Sequence, residues 1–171
     1  MEMNQVPQEA MLNPEPQSEH RWLQKLVGEW TYESEALMDP NQPPERSTGT
    51  EIVRSLGEVW ILAEGQGEIP GCGSATTLMT IGYDLQKQRY VGTWIGSMMT
   101  HLWIYDGELN AAENVLTLNN KGPSMSGDEK LATYKDVIEL KDDNHRVMTS
   151  HRLDENGQWH QFMTVTYQRK L

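Results

Sequence analysis

The chain holds a single cysteine, Cys72, in 171 residues, and no apolar run approaches the length of a membrane span. One thiol cannot form an internal disulfide, which suits a reducing compartment. The N-terminus, Met1-Glu2-Met3-Asn4-Gln5-Val6, lacks both the basic start and the apolar stretch of a secretory signal. A cytoplasmic location is therefore expected. Basic residues are also scarce: 14 Lys and Arg stand against 25 Asp and Glu, a formal net charge of −11. So acidic a surface repels phosphate backbones and anionic lipid, which argues against nucleic acid or a membrane as partner and leaves solubility as the role of the charge. There is no βαβ alternation, no heptad pattern and no internal repeat. These absences exclude a parallel α/β sheet, a coiled coil and a solenoid.

What remains reads as one mainly β domain of ordinary globular composition, long enough to bury a real core. Residues 1–17, rich in Gln, Glu, Asn and Pro, are expected to be a tail, either disordered or laid across the domain. The domain proper is expected over 18–171. Ser18 is a plausible helix N-cap, although Arg21 occupies the place of a capping-box Glu. Trp22, Leu23, Leu26 and Val27 fall on one helical face, and Gly28 stops the pattern, so a single amphipathic helix is expected over about 18–27.

Strand patterns follow at 30–38, 48–55, 58–64, 75–83, 89–96, 99–106, 114–119, 131–140, 145–153 and 158–169. Asp39-Pro40-Asn41, Leu56-Gly57, Asp106-Gly107, Lys121-Gly122-Pro123 and Asn156-Gly157 separate them with turn chemistry. About ten short strands without crossover helices predict one antiparallel up-and-down β-barrel, closed or nearly so, with the helix packed against one end.

Hairpin geometry predicts which residues face inward. A two-residue turn at Asn156-Gly157 pairs Leu153 with His160 and His151 with Phe162. That places Val147, Thr149, His151, Leu153, His160, Phe162, Thr164 and Thr166 inside, and Arg146, Arg152, Asp154, Gln161 and Arg169 outside. Upstream, a turn at Ser97-Met98 pairs Trp94 with His101 and Tyr90 with Tyr105. A turn through Leu85–Gln88 sets Met79 opposite Trp94 and Tyr83 opposite Tyr90. The aromatic face of these strands is expected to line the interior.

An aromatic, polarisable lining with a few polar handles suits a small apolar or aromatic ligand. The expected lining is Met79, Tyr90, Trp94, His101, Trp103, Tyr105, His151, His160 and Phe162. The same residues could instead simply fill the barrel as core. If His101, His151 and His160 converge, they could hold a metal ion, and one of them could ligate haem iron. No short His-x-His or His-x-x-x-His spacing supports such a site, so no cofactor is assigned. His20 and His145, beside charged sequence, are expected at the surface.

Gly65-Gln66-Gly67-Glu68-Ile69-Pro70-Gly71-Cys72-Gly73 lacks the following helix a phosphate cradle needs and is expected to be a mobile loop near a barrel mouth. Cys72 has no basic neighbour to activate it. Ser124 and Ser126 do not form a Gly-x-Ser-x-Gly elbow, and the acidic pairs Asp128-Glu129 and Asp142-Asp143 read as solvated turns. No catalytic constellation is apparent.

Gly28-Glu29-Trp30 together with Arg169 resembles the signature of the calycin group, in which the Trp packs at the closed barrel end beneath a basic side chain from the last strand. Leu26-Val27-Gly28-Glu29-Trp30, Gly82-Tyr83-Asp84 and Arg89-Tyr90-Val91-Gly92-Thr93-Trp94 resemble the bacterial family catalogued as domain of unknown function 1579. The resemblance covers about residues 18–171 and implies a lipocalin-like barrel with no established activity. Fatty-acid-binding proteins place a two-helix lid after the first strand, for which Asp39–Glu45 is too short. Nitrobindin-like haem barrels continue their Gly-x-Trp with further glycines, where this chain has Thr31-Tyr32-Glu33-Ser34. His160 is the candidate axial ligand on that alternative. A third possibility is a non-catalytic module that forms a homodimer through an exposed apolar strand face.

Overall fold

A computed structural model describes residues 12–71 and 73–171. Cys72 and residues 1–11, most of the expected tail, lie outside the described residues. Helix α1 (Ser18–Gln24) leads into ten strands: β1 (Gly28–Ala36), β2 (Glu45–Leu56), β3 (Trp60–Ile69), β4 (Gly73–Asp84), β5 (Arg89–Gly96), β6 (Trp103–Leu109), β7 (Val115–Pro123), β8 (Leu131–Asp142), β9 (His145–Leu153) and β10 (Trp159–Arg169). Each strand pairs antiparallel with its sequence neighbour, and β1 pairs with β10, so the sheet closes into a barrel. No helix among the described residues is long and apolar enough to cross a membrane.

The helix is shorter than its apolar periodicity suggests. Gln17, rather than Ser18, is the N-cap: its carbonyl accepts from the Arg21 amide, and its amide donates to His20 Nδ1 at 2.9 Å. Beyond Gln24 the chain tightens into three-residue turns, with the Lys25, Leu26 and Val27 amides bonding Trp22, Leu23 and Gln24 carbonyls. This tightening still carries Leu26 onto the face of Trp22 and Leu23, and all three are buried. Each such side chain contributes about 1.5–3 kcal/mol by leaving water.

The helix plugs one end of the barrel. Trp22 Nε1 donates to the Glu113 carbonyl at 2.7 Å, and the Tyr90 hydroxyl donates to the Glu19 carbonyl at 3.1 Å. His20 is buried rather than exposed: its Nε2 donates to the Tyr83 carbonyl at 3.0 Å, its edge against the Tyr83 ring. A polar ring with both nitrogens matched to backbone groups can be buried at little cost.

Trp30, fully buried, lies beneath this plug and donates from Nε1 to the Leu26 carbonyl at 2.9 Å. Arg169 covers its ring at 4.2 Å and donates to the carbonyls of Lys25, Val27 and Asp143. Gly28 makes this possible. Its φ is +143°, and a Cβ there would occupy the space of the Arg169 guanidinium.

Two predicted local structures differ. The Gly65–Gly73 segment is mostly strand: β3 runs to Ile69, and β4 starts at Gly73. Gly65 and Gly67 both face inward because they share parity with buried Ile61 and Ala63. At Asn156-Gly157 the loop has three residues, Glu155 to Gly157. The Asp154 amide bonds the Gln158 carbonyl, and Gly157 alone adopts positive φ, at 77°.

Gly28→Ala should cost about 2 kcal/mol, combining the left-handed backbone penalty with displacement of Arg169. Arg169→Ala should cost about as much through its lost carbonyl bonds. Because both act on one contact, the double variant should cost at least ~0.5 kcal/mol less than their sum in urea unfolding. Additive costs would show that Gly28 and Arg169 act separately.

Candidate functional site

Opposite the plug, the barrel end carries two unlike walls. On one side Trp94 of β5, Trp103 of β6 and Tyr134 of β8 point inward. Phe162 at the start of β10 packs against them. The rings of Trp103 and Tyr134 meet edge to face at 5.4 Å, and those of Tyr134 and Phe162 at 6.1 Å. The Tyr134 hydroxyl donates to the Pro123 carbonyl at 2.7 Å, which fixes the ring at the rim. β6 pairs with β7 only from Asp106 to Leu109, and mouthward of that ladder the Trp103 ring lies across Gly122 of β7. Trp103 therefore closes part of the wall with a side chain where the strands stop bonding.

The facing wall is built from small residues: Ser34 and Ala36 of β1, Ser47 and Gly49 of β2, Gly67 of β3, and Ala75 and Thr77 of β4. Ser34, Ala36, Ser47, Gly49 and Gly67 point inward yet remain only partly buried, as do Met79, Trp94 and Trp103. The interior is thus accessible at this end. Tyr32 lies against Gly49 and Gly67, its ring in the room that two missing Cβ atoms leave.

The floor of this space is polar. Asp136 accepts the Tyr105 hydroxyl on Oδ2 and the Ser150 hydroxyl on Oδ1, each at 2.6 Å. Burial pushes its carboxyl above the ordinary aspartate value, although both hydroxyl bonds pull the other way. Burial likewise raises Tyr105 well above the usual tyrosine value, reinforced by Asp136, and raises Tyr167, next to Glu51. Deeper still, Arg146 forms an ion pair with Glu51, and its guanidinium stacks 3.7 Å from the Tyr167 ring centre and 4.7 Å from that of Trp30.

The expected lining residues separate on this geometry. Met79, Trp94, Trp103 and Tyr105 face the interior, and Phe162 packs on Tyr134 at a β-bulge in β10. Tyr90 also points inward but is sealed beneath α1 at the plugged end. His101 sits at the rim before β6, its Nε2 donating to the Lys121 carbonyl at 3.1 Å and its ring edge on Trp103 at 4.7 Å.

His151 corrects the expected register. It pairs with Lys135 and Gln161, lies on the outer face with Thr149, and bonds that hydroxyl at 2.9 Å. Partial burial, then Lys135, lowers its pKa. His160 pairs with Arg152 at the exposed rim and bonds Asp154 Oδ2 at 2.6 Å. The three histidines do not converge, and no cluster of three or more His, Cys, Asp or Glu suited to a metal occurs among the described residues.

Asp136, Tyr134, Ser150, Arg146 and Glu51 were not anticipated. Arg146 was expected outside; it pairs with Tyr167 as the expected hairpin implies, but this face of the two strands is the buried one. Asp136 had a signal: it interrupts the inward alternation Ala132, Tyr134, Asp136, Ile138, Leu140 with one charge. Outside the barrel, a cleft of about 250 Å³ runs between the start of α1 and the β6–β7 turn, lined by Glu19, Tyr83, Glu108 and Glu113 among others. Its polar, acidic border and position over the plug set it apart from the aromatic mouth.

Ten antiparallel strands closed around an accessible interior, with a helix sealing one end beneath a Gly-x-Trp and a terminal Arg, define a lipocalin-like barrel. Residues 15–169 match the family described as "Protein of unknown function (DUF1579)", and the chain belongs to it. None of the curated proteins matches this chain in sequence. The fold is similar to that of an S-type phycobiliprotein lyase from Guillardia theta, with TM-score 0.59, 11% identity, and 91% of this chain and 99% of that one covered. It is equally similar to Rv2717c from M. tuberculosis, with TM-score 0.60, 9% identity, and 92% and 100% covered. At these identities the likeness is one of fold.

A carboxyl that keeps its proton more tightly in the folded chain than in the unfolded chain costs stability once it ionises. The stability of the wild type relative to Asp136→Asn should therefore fall as pH rises from about 4 through the raised carboxyl value, while Tyr105 and Tyr167 stay protonated. Urea unfolding of both proteins from about pH 4 to 8 measures this difference. A difference that does not change with pH would show that Asp136 titrates normally.

Proposed function

We propose that this chain is a binding protein that takes one small apolar or aromatic molecule into the open end of its barrel, without chemistry. A cytoplasmic setting goes with this reading. The observation that carries it is the mismatch of the two walls. An eight-stranded barrel is about the size that its own side chains can fill. Ten strands enclose more, and here one wall supplies mainly Gly, Ala and Ser. The partly buried inward residues mark the space left over, and Trp94, Trp103, Tyr134 and Phe162 give it a flat, polarisable side. Ser150 bonds Asp136, but no histidine contacts either residue among the described bonds, so the pair lacks the base that would activate a hydroxyl.

Nile red, a neutral fluorophore that brightens in apolar surroundings, should bind with one-to-one stoichiometry. Trp103→Ala should weaken it about tenfold, near the ~1.4 kcal/mol that one stacked ring supplies. Trp60→Ala, on the outer face over Gly82, should leave binding unchanged. No binding, or equal loss in both variants, would remove the reading.

A homodimer is a compatible second feature, supported by Ile95, Leu102 and Ile104, which are 46%, 50% and 64% exposed around the outer face of β5 and β6. Light scattering should then show a dimer that Ile104→Lys converts to monomer. A wild-type monomer at high concentration would dismiss it.

A further inference from the structure

The charged side chains in the floor of the barrel above the plug do not cancel. Arg146 is already taken: Glu51 neutralises it, and the rings of Tyr167 and Trp30 enclose its faces. Asp136 has no such partner. Its two bonds come from neutral hydroxyls, and it forms no ion pair among the described residues. Glu51 and Arg146 sum to zero, and Arg152, on the inward face opposite Tyr134, is exposed to water at the mouth, so the floor of the interior retains one negative charge without an ion pair at Asp136 whenever that carboxyl is ionised.

The surroundings of that charge are aromatic. Asp136 lies one inward position below Tyr134 on β8, and Tyr105, which bonds it, lies one inward position below Trp103 on β6. Trp103 and Tyr134 touch edge to face, so two electron-rich rings stand between the carboxylate and the mouth. Ring faces attract cations, the more so where water is excluded. A carboxylate behind an aromatic wall is the arrangement that recognises organic ammonium groups. An anionic ligand would meet the same carboxylate after approaching a chain of net charge −11. A neutral one would leave the carboxylate without a counter-charge.

We infer that the barrel selects an organic cation, an apolar or aromatic body carrying a protonated or quaternary nitrogen that rests over Asp136 against Trp103 and Tyr134. This rests on the reading of the open end as a ligand site and adds the charge of the occupant. Buried charges are tolerated where they are paired, and here the ligand supplies the pair.

The test is a competition against bound Nile red by two molecules of the same shape, trimethylanilinium and tert-butylbenzene, with benzenesulfonate as the anionic arm. The cation should displace the dye at a concentration about tenfold lower than its neutral isostere, and the anion should do no better than the isostere. Asp136→Asn should bring cation and isostere within about twofold of each other while Nile red still binds. Equal displacement by the two isosteres in the wild type, or a cation preference that survives Asp136→Asn, would overturn the inference. The wild-type comparison needs no variant, so it decides charge preference even if Asp136→Asn fails to fold. Failure of Nile red itself to bind would instead overturn the ligand site, which keeps the two failures distinct.

Discussion

The pairing of β1 with β10 is the constraint on which the rest depends, because it turns a sheet with two open edges into a surface with an inside. One residue secures the seam. Arg169 ends β10 opposite Trp30, and from there its guanidinium reaches carbonyls after α1, beside Gly28, and in the β8–β9 turn. Carbonyls at a helix end have no intrahelical partners and carry partial negative charge, so a cation satisfies both needs together. Helix, first strand and last strand are thereby tied to a single group. The Gly-x-Trp sequence is the complement of that group: Gly28 makes room for it, and Trp30 presents a ring to it.

With one end so completely closed, accessibility is confined to the other, and the interior grades from plug to mouth. Leu116, Ile138, Ile81 and Ile61 pack as ordinary core near the closed end. The polar groups lie above and beside them, then the aromatic wall. The Glu51–Arg146 pair belongs to the closed half, where two rings enclose it and its geometry is fixed. Such a pair adds little net stability over apolar packing, but removing either partner would strand a buried charge. It is a commitment of the fold, and it leaves Asp136 as the charge in the floor of the interior that the fold does not answer.

The fold was legible because its signals were redundant. Alternation, turn residues and the Gly-x-Trp with a terminal Arg all pointed to the same barrel, and all ten strands fall near their expected places. The facing was legible at β5–β6 and misjudged at β9–β10. At β5–β6 the true pairing sets Trp94 opposite Trp103 instead of His101, a slip of two that leaves every side chain on its predicted face. At β9–β10 the loop has three residues instead of two, a slip of one that sets His151 opposite Gln161. Beyond the bulge the pairing is the expected one, Arg146 with Tyr167 and Ser150 with Met163, and the error there was the choice of face: the side carrying Arg146, Met148 and Ser150 is the buried one. The bulge at Phe162 shifts the register again, so Phe162 still reaches the aromatic wall and Thr164 still meets Thr149. Neither loop length nor bulge has a side-chain pattern strong enough to read in advance.

Asp136 bears on why such a barrel keeps a cost it could avoid. A buried carboxylate with only neutral donors is less stable than an amide or an apolar side chain of similar size at the same point. Selection for stability alone would replace it, since stabilising substitutions at such sites are readily found. The alanines and serines of the facing wall point the same way, because larger residues there would fill space and bury more surface, whereas Gly49 and Gly67 make room for Tyr32. Two departures from good packing, an unanswered charge and an underfilled wall, face each other across the same open end. Departures of this kind concentrate where a protein has work to do besides folding. A molecule that fills the gap and answers the charge removes both at once, and that coincidence is the strongest physical argument that the open end is a site.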